Sequence, residues 1–181
     1  MQHTEKMLER DVKFAGRVIT VTHDKVLLEN GNTSMREIVH HNGGACVLAL
    51  EEDDTVYLVR QFRYAYGREL LELPAGKLEK GEDPFEAARR ELEEEVGVTA
   101  ESFISLGTVL PTCGYCNEVI HLYAAKGLEK TGQHLDPDEF VTVLKMPLTE
   151  LEEMIAAGRV NDAKTVIACY RLQLARAKGE F

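Results

Sequence analysis

Apolar and polar positions along the chain change period in a way that lays out its elements. Over VKFAGRVITVTHDKVLLENGNTSMREIVHH, residues 12–41, they alternate. Asn30-Gly31 punctuates that run as a hairpin would, so the first forty residues predict an antiparallel meander. The continuous apolar run ACVLAL (45–50) predicts a buried strand, and VYLVRQF (56–62) a second one beyond an EEDD turn. RELLELPAG (68–76) predicts a further strand that ends in a Pro-Ala-Gly turn. The period then lengthens to that of a helix over 84–96. SFISLGTVL (102–110) and EVIHLYAAKG (118–127) predict strands on either side of PTCGYCN, and FVTVLKM (140–146) another after TGQHLDPDE. TELEEMIAAG (149–158) and DAKTVIACYRLQLARAK (162–178) predict two closing helices. Strands and helices do not alternate strictly, and there is no internal repeat or long linker. The order fits an α+β fold, an α/β/α sandwich with a mixed sheet, better than a doubly wound parallel sheet. Residues 1–42 form the meander and 43–181 the main domain of this reading.

The helix at 84–96 carries an anomaly. Asp83 reads as its N-cap, Pro84 as the first helical residue, Glu86 as the partner in a capping box and Gly97 as the C-terminal stop. At about a hundred degrees per residue, Phe85, Ala88, Leu92 and Val96 fall on one apolar stripe. Glu91, Glu94 and Glu95 cluster beside that stripe, and Glu93 falls on its other side. Carboxylates are disfavoured at the negative end of the macrodipole, and Glu91 and Glu95 repel as a like-charged i,i+4 pair. A hard divalent cation removes both objections, because Mg²⁺ is held by one or two carboxylates together with phosphates and water.

Composition narrows the partners. The 181 residues hold 31 acidic and 21 basic side chains, a net charge of −10, with no basic patch for a nucleic-acid backbone. A small anionic substrate stays possible where a metal or local arginines neutralise it. The polar start MQHTEKMLERDVKF has no signal-peptide core, and no apolar run is long enough for a membrane span. Cys46, Cys113, Cys116 and Cys169 form no disulfide framework, and the Cys113-x-x-Cys116 pair lacks a second half to complete a zinc site. Free thiols in a reducing cytoplasm are expected.

GKLEKGEDPFEAARRELEEEVGV, residues 76–98, resembles the Nudix hydrolase signature at every specified position: Gly76, Glu82, Arg90, Glu91, Leu92, Glu94, Glu95, Gly97 and Val98. RQFRYAYGRELLELPAG before it, the REIVHH of the meander and GRVNDAKT (158–165) resemble the ADP-ribose pyrophosphatase branch. The resemblance covers about Gly16 to Leu172. It implies a metal-dependent hydrolase of nucleoside diphosphates linked to another moiety, using two or three Mg²⁺ or Mn²⁺ ions. It also implies a homodimer whose N-terminal strands reach across to the partner.

Residue by residue, the resemblance implies that Glu91 and Glu95 ligate metal directly, together with the carbonyl of Ala75, and that Glu94 is a further ligand or holds a metal-bound water, which places it with Arg90 and Glu139 in the catalytic set. It makes Arg90 the side chain that orients the glutamates, and its i,i+4 relations to Glu86 and Glu94 suit that role. Glu82 ties the loop to the helix. Glu139, in HLDPDEFVTV, stands where the branch places its general base. Arg36 and Arg63 stand where it places substrate arginines, whose planar fork suits a diphosphate. Glu72 and Glu118 are further carboxylates on the substrate or metal side. One departure concerns specificity: in PTCGYCNE, Cys113 takes the place of the proline usual in this branch, which leaves the loop backbone less restrained. ADP-ribose is thus the leading substrate. GDP-mannose, FAD or a dinucleotide are the alternatives, followed by a non-catalytic ADP-ribose sensor and a nucleotide-pool triphosphatase.

Overall fold

The computed structural model describes residues 3–135, 137 and 139–181. They fall into two compact units, one of residues up to Gly43 with Leu110–Val119, the other of Gly44–Val109 with Ile120–Phe181.

The first unit is an antiparallel three-stranded sheet of β1 (Lys6–Ala15), β2 (Ile19–Leu27) and β3 (Thr33–His41). The Asn30-Gly31 turn closes it through Leu28 N–H to Asn32 O at 2.8 Å, with Gly31 at a φ of 82° that its missing Cβ permits. The segment 110–119 lies on β3: Val39 donates to Tyr115 O at 2.8 Å and accepts from Asn117 N at 3.1 Å.

The second unit holds two sheets. One is mixed, in the order β7 (Ala75–Lys77), β4 (Gly44–Ala49), β9 (Ile120–Lys130), β8 (Val98–Val109), with β4 and β9 parallel. The other is antiparallel, β10 (Val141–Pro147), β5 (Thr55–Arg63), β6 (Arg68–Glu72). The strand expected over 68–76 is therefore two strands in different sheets. Pro74 has no N–H to continue a ladder, and its carbonyl instead accepts from Val47 N at 3.0 Å.

Side-chain parity along β4 makes the sandwich. Ala45, Val47 and Ala49 point to one layer with Ala87, Ala88 and Leu92, from the helix α1 (Pro84–Glu91) and the turn that follows it. Cys46 and Leu48 point the other way, to Leu148 and Leu151 of α2 (Leu148–Ala156) and Ala168 and Leu172 of α3 (Ala163–Ala177). Both faces of β4 are buried, which is why its sequence is an unbroken apolar run. The result is an α+β sandwich, as the pattern predicts.

Candidate active site

The acidic helix end is not the regular α-helix expected over 84–96. Asp83 caps it, accepting from Phe85 N at 2.9 Å and Glu86 N at 3.2 Å, with Pro84 at the first position. The α-helix stops at Glu91, and Leu92–Val96 form a π-helical turn ended by Gly97 at a φ of 72°. Such wide turns are rare and concentrate at functional sites. Two side chains also depart from the helical wheel. Phe85 is 38% exposed. It packs edge-on against Phe103 at 5.3 Å instead of joining the core. Glu86 does not close a capping box, because its carboxylate pairs with Arg89 at 3.3 Å.

Arg90 is the hub of the charged cluster. Its guanidinium reaches Glu82 through Nε at 3.0 Å, and Glu91 and Glu94 through Nη1 at 2.8 Å each. The expected pairing with Glu86 is replaced by Glu82, whose other hydrogen bond is from Glu79 N at 2.7 Å. Glu82 thus joins the loop before the helix to the helix itself. Arg90 and the Glu79 amide hold its carboxyl below the usual range.

Glu91 and Glu95 are the buried carboxylates, 9% and 4% exposed, while Glu94 sits at the surface side of Arg90. Burial pushes Glu91 upward against the pull of Arg90, and the charges of Glu94 and Glu139 add to the rise. Burial likewise pushes Glu95 up to about 8; the Ala75 hydrogen bond and Arg63 act against it, Glu91 and Glu139 with it. Glu139 is therefore close enough for its charge to act on both. Glu95 accepts from Ala75 N at 2.8 Å, which fixes the residue before Gly76 against the helix end. At Gly76 itself an added Cβ would overlap the Glu91 carboxylate, so only glycine leaves room for it.

The wide turn also carries the loop towards Glu139. Thr131 N donates to Gly97 O at 2.9 Å, His134 N to Glu94 O at 2.9 Å and the Gln133 amide to Glu95 O at 2.7 Å. Helix-terminal carbonyls normally left unpaired are thereby satisfied.

Arg63 grips Glu72 with two parallel hydrogen bonds, Nε to Oε1 at 2.7 Å and Nη2 to Oε2 at 2.9 Å. Glu72 also binds Lys164, which reaches Asp162 at 3.0 Å. Burial would raise Glu72, but Arg63 and Lys164 outweigh it and hold the carboxyl down at about 2. Glu72 is thus a buried anchor for Arg63. In the first unit, Arg36 pairs with Glu5 at 2.9 Å through Nε, and Glu118 lies 3.5 Å from His41 Nδ1. Lys164 and Thr165 escaped the sequence reading as individual residues. One signal was present: a lysine in the first turn of a helix opposes the macrodipole, just as the glutamates do at the end of theirs.

Among the described residues, no three His, Cys, Asp or Glu side chains converge as a ready-made metal cage, and Arg90 engages Glu91 and Glu94. The oxygen donors nonetheless suit a hard cation, and Glu95 has no cationic partner among the described residues. Gly76 keeps the space beside Glu91 open. Buried carboxylates at a wide helix end, with Arg90 beside them and Gly76 leaving room, form a site whose donors suit a divalent cation and an anionic ligand.

The chain belongs to the Nudix family, whose NUDIX domain model matches residues 40–169. It is 44% identical to the methanol dehydrogenase activator of Bacillus methanolicus, over 96% of this chain and 95% of that one. It is 39% identical to the ADP-ribose pyrophosphatase of Bacillus subtilis (strain 168), with the same coverage of 96% and 95%. A crystal structure of an ADP compounds hydrolase superposes with a TM-score of 0.85 at 22% identity, covering 100% of this chain and 99% of that one, and shares its fold. The protein is a Nudix hydrolase.

Proposed function

We propose that the protein hydrolyses the diphosphate bond of ADP-ribose, giving AMP and ribose 5-phosphate. The observation that carries this reading is the pair of buried carboxylates, Glu91 and Glu95, at a helix end where burial disfavours their charged forms and a bound cation would stabilise them. The 39% identity to an ADP-ribose pyrophosphatase directs the choice of substrate.

Nudix hydrolases generally use divalent metal ions. In this protein Glu91, Glu95, Glu94 and the carbonyl of Ala75 would hold two or three Mg²⁺ or Mn²⁺ ions. When bound, they supply charge neutralisation of the diphosphate and acidification of water. The chain's own residues do the rest. Arg63, anchored by Glu72, offers its remaining Nη1 donor to a phosphate oxygen. Arg36 would exchange Glu5 for a second phosphate oxygen, and Glu118 would contact the substrate side. Arg90 keeps Glu91 and Glu94 in register as charge builds. Glu139 takes the proton from the attacking water. The 1–42 meander serves dimerisation and substrate binding, and the protein works in the cytoplasm as a homodimer.

A panel of ADP-ribose, GDP-mannose, NADH, FAD and diadenosine polyphosphates with Mg²⁺, read by chromatography, tests this. ADP-ribose should be the best substrate, with AMP as product and full loss on chelation. A better turnover of GDP-mannose would move the protein to another branch, and Cys113 is the residue that would account for it. The Glu139→Gln variant should lose about a hundredfold in kcat. Its Mn²⁺ affinity should be unchanged, and an unaltered rate removes Glu139 from the reaction.

A second reading, activation of a dehydrogenase, rests on the 44% identity to the methanol dehydrogenase activator. Mixing the protein and its Glu95→Gln variant with purified methanol dehydrogenase decides whether it holds and whether it needs the hydrolytic site.

A further inference from the structure

The start of α3 is buried deeper than a peripheral helix requires. Thr165 is fully buried and Lys164 is 8% exposed, the only lysine among the buried polar residues described. The Thr165 hydroxyl accepts from Leu73 N at 2.9 Å and donates to Asp162 Oδ2 at 2.7 Å, so both of its hydrogen-bonding directions are committed. Asp162 also caps the helix, accepting from Thr165 N at 3.1 Å.

Leu73 begins the short run that enters the metal-binding segment. That run is pinned at successive residues: Leu73 N to Thr165, Pro74 O from Val47 N at 3.0 Å, and Ala75 N to Glu95 at 2.8 Å. Among the described residues, no side chain other than Thr165 satisfies the buried Leu73 amide. Lys164 works on the neighbouring strand. Its ammonium binds Glu72, the carboxylate whose two oxygens hold the Arg63 fork, and shares itself with Asp162. One turn of helix therefore touches both the backbone that presents Ala75 and the carboxylate that aims Arg63.

We propose that Lys164 and Thr165 are positioning residues for the reaction: Thr165 sets the Leu73–Ala75 backbone against Glu95, and Lys164 sets the Glu72–Arg63 fork. The proposal rests on the pyrophosphohydrolase reading given above. It assigns the two residues different kinetic signatures. Thr165 acts on the carboxylate and backbone side, where removing a supporting hydrogen bond costs about 10- to 100-fold in metal affinity or turnover. Lys164 acts on the arginine. Without it, the Glu72 carboxylate that holds the Arg63 fork loses its second cation and its tie to α3.

The test compares Thr165→Val with Thr165→Ser, and Lys164→Met with Lys164→Arg, in the full chain. Mn²⁺ binding is measured by titration without substrate, kcat and KM are measured with ADP-ribose and Mg²⁺, and each variant is melted. Thr165→Val should weaken Mn²⁺ binding and lower kcat, each about tenfold, while Thr165→Ser stays within about twofold of the parent. Lys164→Met should raise KM about tenfold at near-constant kcat and leave Mn²⁺ binding in place, the arginine being a partner of substrate rather than of metal. Equal behaviour of Val and Ser at 165, or a KM unmoved at 164 in folded protein, overturns the proposal.

Amide hydrogen exchange on the unaltered protein covers the case in which a variant does not fold. The Leu73 and Ala75 amides should slow together by about tenfold or more when Mg²⁺ is added, as expected for one coupled unit. Leu73 exchange indifferent to Mg²⁺ while Ala75 responds overturns the role of Thr165. Metal titration and exchange need no turnover. A protein that ignores ADP-ribose yet shows these effects loses the substrate reading and keeps the positioning one.

Discussion

Two carboxyl groups in this protein titrate in opposite directions, and each gives stability a different pH window. Glu72 is held at about 2, below its ordinary value of 4.5, because Arg63 and Lys164 outweigh the burial that would raise it. A lowered folded-state value means stability that is present above pH 4.5 and lost as pH falls towards 2. Glu72→Gln should melt lower than the parent at neutral pH and show a flatter acid limb. Glu95 is raised by burial from 4.5 to about 8. Its contribution is full below pH 4.5 and lost as pH rises through 8, so the metal-free protein should melt progressively lower over that range. Glu95→Gln should remove that slope, and saturating Mg²⁺ should remove it from the parent as well. A melting curve that ignores pH between those limits in metal-free protein would contradict the burial of Glu95. Gly76 belongs to the same scale. Gly76→Ala puts a methyl into the Glu91 carboxylate, and kcat should fall by about 10- to 100-fold with the fold retained in a thermal melt.

At the scale of elements, the wide turn Leu92–Val96 and the loop at 131–134 are one assembly. Gly97 ends the turn with a positive φ, and a Cβ there would lie 2.7 Å from Gln133 N and from the Gly132 carbonyl carbon. Gly97→Ala should therefore cost about 1 kcal/mol in backbone strain alone, and more from the displaced loop, read by urea unfolding. Turnover should fall further than stability does, because the same loop leads to Glu139. This assembly also marks where sequence reading stops. Asp83, Pro84 and Gly97 bound the helix correctly, since caps and left-handed stops are local chemistry. Nothing local distinguishes an α-turn from a π-turn over LEEEV; the choice follows from which carbonyls the distant residues 131–134 satisfy. Pro74 divided a predicted strand for a comparable reason, the two halves having different neighbours in the fold.

For the whole molecule, the open question is what covers the first strand. All ten residues of β1 are exposed in the single chain, among them Met7, Leu8, Val12 and Phe14. An exposed edge with that much apolar surface is a site for pairing with another chain. Light scattering on the eluting protein should give twice the 20.3 kDa chain mass, and Val12→Glu with Phe14→Glu should reduce it to one. A monomer in the unaltered protein would remove the dimer from the functional reading. No helix among the described residues is long and apolar enough to cross a membrane.

The order of elements, the sandwich and the acidic helix end follow from sequence alone, because hydrophobic period, capping residues and like-charge crowding act over a few neighbours. The ion network did not. Arg63, Glu72, Asp162, Lys164 and Thr165 come together from segments about a hundred positions apart, and no local rule pairs them. Packing likewise decided which way each carboxyl shifts, although Glu72, Glu91 and Glu95 have identical side chains. One is held down by cations and two are pushed up, a difference that exists only once the chain has packed around them.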